Sequence, residues 1–344
     1  MTTVTLGRTG ITVGKNAFGA IPIQRISAED AVRLLHRAFD GGITFFDSAR
    51  AYHDSEEKLG LAFEGMRDKV YIATKSLAST PDALRRDLET SLRLLRTDHI
   101  DLYQLHNPGQ CYLPGDGTGM FEAMQTFQKE GKIRFIGMTN HRHAVANAAI
   151  DSGLYDTLQF PFSYLCIDRD LELVEKCREA NIGFIAMKGL AGGVLNNSAA
   201  CYAFMSQFAN VLPIWGIQYE SELDEFLAHA KNPPAMDDAM RAVIEADRKA
   251  LYGAFCHGCG YCMPCPAGIE INNCARMGVM LKKLPYRQFL SKDWQEKMRK
   301  IEDCLRCGKC MGHCPYSLAT PDLLAANYEI YKKFLAEHAG EVEP

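Results

Sequence analysis

Eight of the thirteen cysteines in this 344-residue chain lie between Cys256 and Cys314, at the spacing of ligands. The first run is Cys256-His-Gly-Cys259-Gly-Tyr-Cys262-Met-Pro-Cys265-Pro266, and the second is Cys304-Leu-Arg-Cys307-Gly-Lys-Cys310-Met-Gly-His-Cys314-Pro315. Three cysteines three residues apart wrap one face of a cubane in a tight turn, and a more distant fourth completes the coordination. A proline after that fourth cysteine removes a backbone donor and ends the turn. We read the pair as two [4Fe-4S] sites. Zinc is the competing chemistry, but it usually takes two C-x2-C pairs or mixed Cys/His sets, and these runs hold more than zinc needs. Disulfides require an oxidising compartment. The start of the chain, Met1-Thr-Thr-Val-Thr-Leu-Gly-Arg, has no apolar signal core, and no stretch of about 18 apolar residues occurs. The expectation is a cytoplasmic protein with no membrane segment, made where oxygen is scarce.

The cysteine segment fills only the last quarter of the chain, so the preceding residues must do something else. With 47% hydrophobic and 23% charged residues and a formal net charge of −4, the composition is that of a globular enzyme. That balance gives no electrostatic case for nucleic acid or an anionic membrane. After a short hairpin expected over Val4 to Val13, apolar runs recur at Asn16–Ala20, Thr44–Asp47, Val70–Thr74, Ile100–Leu105, Ile133–Met138, Thr157–Phe160, Gly183–Met187 and Leu212–Trp215. Between them lie segments of helical period, among them Ala28–Phe39, Ala83–Leu95, Phe121–Glu130, Leu171–Ala180 and Leu223–Ala230. Eight buried strands alternating with helices predict an α/β fold, a (β/α)8 TIM barrel. A doubly wound sheet is the alternative, but the phosphate fingerprint G-x-G-x-x-G after its first strand is missing. Asn232-Pro-Pro marks a linker, so we expect the barrel over 1–232. Residues 233–344 are then a linker helix, Asp237 to Tyr252, and a mainly helical cluster domain with helices over Gln288–Glu302 and Asp322–Phe334.

A barrel places its active site at the C-terminal ends of its strands. Asp47 closes the second run, Tyr52 follows it in the loop, Lys75 closes the third run and His106 the fourth. Each alone has a structural explanation as a cap, a rim residue, a solvated charge or a satisfied polar group. Together they bring a carboxylate, a phenol, an amine and an imidazole to one rim. Here the sequence resembles the aldo-keto reductase family, whose tetrad is Asp, Tyr, Lys and His in this order. Phe46-Asp-Ser-Ala-Arg-Ala-Tyr-His-Asp-Ser-Glu-Glu-Lys-Leu-Gly60 is similar to the family's motif around its Asp and Tyr, and Ile136-Gly-Met-Thr-Asn140 to its fifth-strand motif. The resemblance runs from Leu6 to about Ala230, and the whole chain resembles those members that carry a C-terminal ferredoxin-like dicluster domain.

The second cysteine run matches the bacterial ferredoxin spacing residue for residue, whereas the last gap of the first is one residue short. In two-cluster ferredoxins the fourth cysteine of each run serves the other cluster. Carried over, Cys256, Cys259, Cys262 and Cys314 would hold one cluster, and Cys304, Cys307, Cys310 and Cys265 the other, with Cys274 in reserve should Cys265 be out of reach. The resemblance also implies that Tyr52 is the proton donor, with Lys75 lowering its pKa, Asp47 holding Lys75, and His106 binding the substrate oxygen. It implies a nicotinamide site of Thr139, Asn140 and Gln159, with Lys188, Gly189, Leu190, Gly192 and Gly216 along the phosphates. After the eighth strand, Gly216-Ile-Gln-Tyr-Glu-Ser-Glu-Leu-Asp-Glu-Phe226 has four carboxylates and no Lys or Arg, which opposes a 2′-phosphate and favours NADH over NADPH.

These features lead to an iron-sulfur oxidoreductase that reduces a small carbonyl or activated alkene, fed by two [4Fe-4S] clusters, NADH or NADPH, or both. Nicotinamide moves electrons in pairs and each cluster moves one, with no flavin motif to split the pair. One form of this reading therefore feeds single electrons to the substrate without nicotinamide. The alternative is an electron-transfer protein whose retired barrel docks a redox protein partner.

Overall fold

The computed structural model describes residues 2–251, 255–283, 285–314 and 316–343. Pro315 and the expected helix end at Tyr252 lie outside the described residues. The chain divides into two compact units, 1–190 with 197–241 and 191–196 with 242–344. The expected break after 232 differs from this division: 233–241 stay with the first unit, and 191–196 join the second.

In the first unit, β1 (Thr3–Thr5) and β2 (Thr12–Gly14) form an antiparallel hairpin with Val4 opposite Val13. The turn needs Gly7, whose φ is +49° and whose Cβ, were there one, would lie 2.5 Å from the Asn181 carbonyl oxygen. Eight parallel strands follow: β3 (Ala17–Gly19), β4 (Phe45–Asp47), β5 (Tyr71–Ser76), β6 (Ile100–His106), β7 (Ile133–Thr139), β8 (Thr157–Pro161), β9 (Gly183–Met187) and β10 (Val211–Gly216). Neighbours in sequence pair, and β10 also pairs with β3, which closes the barrel. Strands covered on both faces read as nearly continuous apolar runs, which is why the sequence announces them.

A helix follows each barrel strand: α1 (Ala28–Asp40), α2 (Ser55–Ala62), α3 (Pro81–Leu94), α4 (Met120–Lys129), α5 (His143–Ser152), α6 (Asp168–Glu179), α7 (Ser198–Ser206) and α8 (Glu220–Lys231). Ser27 caps α1 by accepting from the Asp30 N–H at 3.0 Å, and Thr80 caps α3 with Pro81 in its first turn. The hairpin's apolar face, Val4, Leu6, Ile11 and Val13, packs with Phe45, Leu102, Ile185 and Leu212 inside the barrel.

The second unit has α9 (Asp238–Ala250), which begins in the first unit, then α10 (Ile271–Cys274), α11 (Met277–Lys283), α12 (Lys292–Arg299), α13 (Lys309–His313) and α14 (Thr320–Glu337). Single 3-10 turns at Tyr286–Leu290 and Lys300–Asp303 flank α12. Ile269, Ile271, Met277, Phe289, Met298 and Tyr331 form its core, and the Tyr331 hydroxyl donates to the Phe289 carbonyl at 2.6 Å. The unit is mainly helical, as expected. Among the described residues no helix is long and apolar enough to cross a membrane.

Candidate active site and metal centre

Parallel register assembles the barrel rim. Asp47 stands opposite Gly19 and Ala73, Lys75 opposite Gln104, His106 opposite Thr139, and Thr139 opposite Gln159. The loop after β4 is tied to β5 by the Arg50 N–H, which donates to the Lys75 carbonyl at 2.9 Å, and a tight turn at Ala49–Tyr52 brings Tyr52 back over the strand ends.

The Lys75 ammonium donates to Asp47 Oδ2 at 2.6 Å and to the Ser48 carbonyl at 2.5 Å. It lies 5.0 Å from the centroid of the Tyr52 ring, and that ring meets His106 edge-on with centroids 6.1 Å apart. The four expected catalytic residues therefore converge. Sequence reasoning missed a fifth member: the buried Gln104 amide donates to Asp47 Oδ1 at 3.3 Å, and Gln159 adds a further hydrogen bond to Asp47.

Burial pushes the Asp47 carboxyl up and the Lys75 ammonium down, and the charge of each partner opposes the shift. Burial, followed by the nearby charge of Lys75, drives the His106 imidazole down to about 3, so the ring is neutral at physiological pH. For Tyr52 the expected direction is reversed. Burial and then the charge of Asp47 push the phenol up, because Lys75 is already neutralised by Asp47 and directs its protons at Asp47 and Ser48.

The residues expected around a nicotinamide separate into groups. Thr139, Asn140 and Gln159 come together at the ends of β7 and β8, with the Asn140 N–H donating to the Gln159 carbonyl at 3.0 Å. The Asn140 side chain is used internally, donating to the Pro108 carbonyl and accepting from the N–H groups of His141 and Arg142, each at 2.9 Å. Gln159 Oε1 is buried and has no hydrogen-bond partner among the described residues, which fits an incoming amide N–H. Lys188 stands at a φ of +59°, Gly189 lies under the Trp215 ring, and Gly216 faces Pro22. Leu190 ends that stretch of the first unit, and Gly192 belongs to the second. The carboxylates after β10 are not an uncompensated patch. Glu220 pairs with Arg33 at 3.2 Å and Arg37 at 2.7 Å, Arg37 also pairs with Asp224, and Glu222 accepts from the backbone N–H groups of Gln218 and Tyr219. The electrostatic objection to a 2′-phosphate is weaker in the fold than in the linear sequence.

In the second unit the cysteines surround two cavities. One, of about 340 Å³, is lined by Cys256, Cys259, Cys262 and Cys314; the other, of about 380 Å³, by Cys265, Cys304, Cys307 and Cys310, with Cys262 on the wall of both. Each lining draws cysteines from both runs, as the crossed sets would. Among the described residues no three Cys, His, Asp or Glu side chains converge closely enough to hold one ion. Burial and the neighbouring Cys256 and Cys259 push the Cys262 thiol up to about 12, a repulsion that bound iron would offset. Cys274 lines neither cavity, and its thiol donates to the Lys297 carbonyl at 3.5 Å.

Comparison with known proteins agrees with both halves. Sequence models of the Aldo/keto reductase family and of the 4Fe-4S dicluster domain match residues 10–242 and 255–319. An uncharacterised oxidoreductase of Bacillus subtilis is 33% identical over 224 residues, 56% of this chain and 68% of that protein. L-galactose dehydrogenase of Arabidopsis thaliana is 28% identical over 209 residues, 55% of this chain and 66% of that protein. The match thus spans about two thirds of these relatives' own length. Among solved structures, an aldo-keto reductase of Klebsiella pneumoniae in complex with NADPH aligns with a TM-score of 0.62 at 23% identity, covering 71% of this chain and 94% of that one. The holo form of one from Bacillus halodurans aligns with a TM-score of 0.64 at 19% identity, covering 72% and 96%; at such identities the likeness is one of fold. Through residues 10–242, more than half of its length, the chain belongs to the aldo/keto reductase family of oxidoreductases, and it continues into a 4Fe-4S dicluster domain.

Proposed function

We propose that the protein reduces a small carbonyl or activated alkene at the rim formed by Asp47, Tyr52, Lys75 and His106, drawing electrons from two [4Fe-4S] clusters, from NADH or NADPH, or from both. The observation that carries the reading is the buried Lys75–Asp47 pair at 2.6 Å beside the Tyr52 ring. Burying two charges costs several kcal/mol per ion, and a barrel kept only as a scaffold has no use for that cost at its rim. Cys256, Cys259, Cys262 and Cys314 would hold one cluster, and Cys265, Cys304, Cys307 and Cys310 the other. When bound, the clusters supply single electrons and a nicotinamide supplies a hydride.

This chain's own residues do the rest. Neutral His106 donates a hydrogen bond to the substrate oxygen and orients it. As negative charge develops there, Tyr52 gives up its proton, and the raised phenol pKa guarantees that the proton is present beforehand. Lys75, held by Asp47 and the Ser48 carbonyl, leaves the phenol protonated at rest and lies 5.0 Å from the centre of the ring on which negative charge develops once the proton has left. Gln104 and Gln159 hold the Asp47 carboxylate in place, and Gln159 Oε1 offers an acceptor to a carboxamide.

Tyr52→Phe removes the proton while preserving the ring. The expected outcome is a fall in turnover of about 10²–10⁴-fold, with unchanged visible absorption and iron content. Undiminished turnover in that variant would leave the rim without a catalytic role and favour a retired barrel that docks a redox protein.

A further inference from the structure

The two cysteine cavities have nearly the same sequence motif but different electrostatic surroundings. In the second unit, Arg276 sits between α10 and α11 and is only 8% exposed. Its Nη2 donates to the Gly192 carbonyl at 3.0 Å. Its Nη1 lies against the first cysteine turn so closely that a Cβ on Gly258 would be 2.1 Å from it. Its Nε has no hydrogen-bond partner among the described residues; burial pulls the guanidinium pKa down, and nearby Cys256 works against that shift. In the same turn the Gly258 N–H donates to Cys256 Sγ at 3.4 Å. The other cavity has an arginine in its wall, Arg306, but that side chain is 63% exposed and paired with Asp322 at 2.5 Å. The turn that carries Cys256 and Cys259 therefore rests against a buried cation that no carboxylate neutralises in the described hydrogen bonds, behind the wall of its cavity, whereas the cation in the wall of the other cavity is both neutralised and washed by water.

Arginine stays charged in any protein. Charge at a low-dielectric position acts far more strongly than at the surface, and the potential of an iron-sulfur cluster follows the charge and hydrogen bonds around it. Adding an electron makes a cluster more negative, so a nearby cation favours the reduced form. We propose that Arg276 is a redox-positioning residue that makes the two cluster sites unequal, holding the one at Cys256, Cys259, Cys262 and Cys314 at the more positive reduction potential. This rests on the two-cluster reading above. An electron entering the unit then settles at the Arg276 side, and the unit has a downhill direction built into it.

The test is a redox titration of the full-length holoprotein followed by electron paramagnetic resonance, with iron and sulfide analysis alongside. Wild type is compared with Arg276→Gln, which loses the charge and keeps a donor for Gly192, Arg276→Lys, which keeps the charge, and Arg306→Gln. The expected result is that Arg276→Gln shifts one of the two midpoints in the negative direction by about tenfold in its equilibrium constant, about 59 mV for a one-electron couple. The other midpoint stays in place, Arg276→Lys remains near wild type, and Arg306→Gln moves neither. The proposal is overturned if both midpoints of Arg276→Gln match wild type, if Arg276→Lys shifts as far as Arg276→Gln, or if Arg276→Gln assembles only one cluster, which would make the residue a support for assembly. A wild-type protein without cluster iron would instead remove the two-cluster reading itself.

Discussion

His106 is set so that it cannot act as an acid. Burial and the Lys75 charge hold its imidazole down to about 3, against an ordinary value near 6.5. Because its pKa falls on folding, the unfolded chain binds the extra proton between those limits. Stability is therefore undiminished by this residue above about pH 6.5 and drops by up to about 1.4 kcal/mol per pH unit below it, until the folded ring protonates near pH 3. We expect His106→Gln to flatten the slope of barrel stability between pH 4 and 6, measured by denaturant titration, whereas an unchanged slope would mean that the ring is not held neutral. The meeting of Asp47, Tyr52, Lys75 and His106 at one rim was legible because a barrel rule names strand ends and all four sit at or just after one. Gln104 was not, although it left a signal: a polar residue inside a strand whose every position is buried. Arg33 and Arg37 were invisible opposite Glu220 because only closure of the barrel brings α1 beside α8. The direction of the Tyr52 shift was misread because the burial of the phenol, and the charge of Asp47 beside it, could not be seen before the strands closed.

At the scale of elements, the motif running to Gly60 turns out to describe a packing problem. Glu56, 1% exposed, accepts from the Thr74 and Ser91 hydroxyls at 2.7 Å each and pairs with Arg50, which anchors the loop carrying Tyr52. One turn later, a Cβ on Gly60 would lie 2.1 Å from the Leu94 carbonyl oxygen. Gly60→Ala is expected to destabilise the barrel by about 1–3 kcal/mol through overpacking, while Gly109→Ala, with nothing within 4 Å of its Cβ, serves as a near-neutral control in the same denaturation experiment. Equal effects would show that α2 yields to the extra methyl. The same packing explains which helices the sequence left unmarked. In α2 the buried face includes Glu56 and Lys58, so periodicity fails; α7 is buried nearly all round; α5 is rich in alanine and lacks contrast between its faces. The eight strands were legible because each is buried on both sides, and their ends fell within a few residues of the apolar runs.

For the whole molecule, the open question is how reducing equivalents reach the rim. Anaerobic mixing with NADH and with NADPH, watching nicotinamide and cluster absorbance together, separates the routes. We expect nicotinamide oxidation that depends on an added carbonyl, as Gln159 Oε1 suggests, and with the β10 carboxylates paired to Arg33 and Arg37 we no longer expect NADPH to be rejected. Silence from both nucleotides would leave single electrons as the only supply. The crossed cysteine sets have a further meaning for how the protein is made. Each cavity takes cysteines from both runs, so neither can close on the ribosome until the chain has been synthesised as far as Cys314. On the two-cluster reading, iron delivery is then a late, joint event. On the same reading, a single proteolytic cut between Cys265 and Cys304 would leave the two halves bound to each other through metal, since each cavity is lined from both sides of the break.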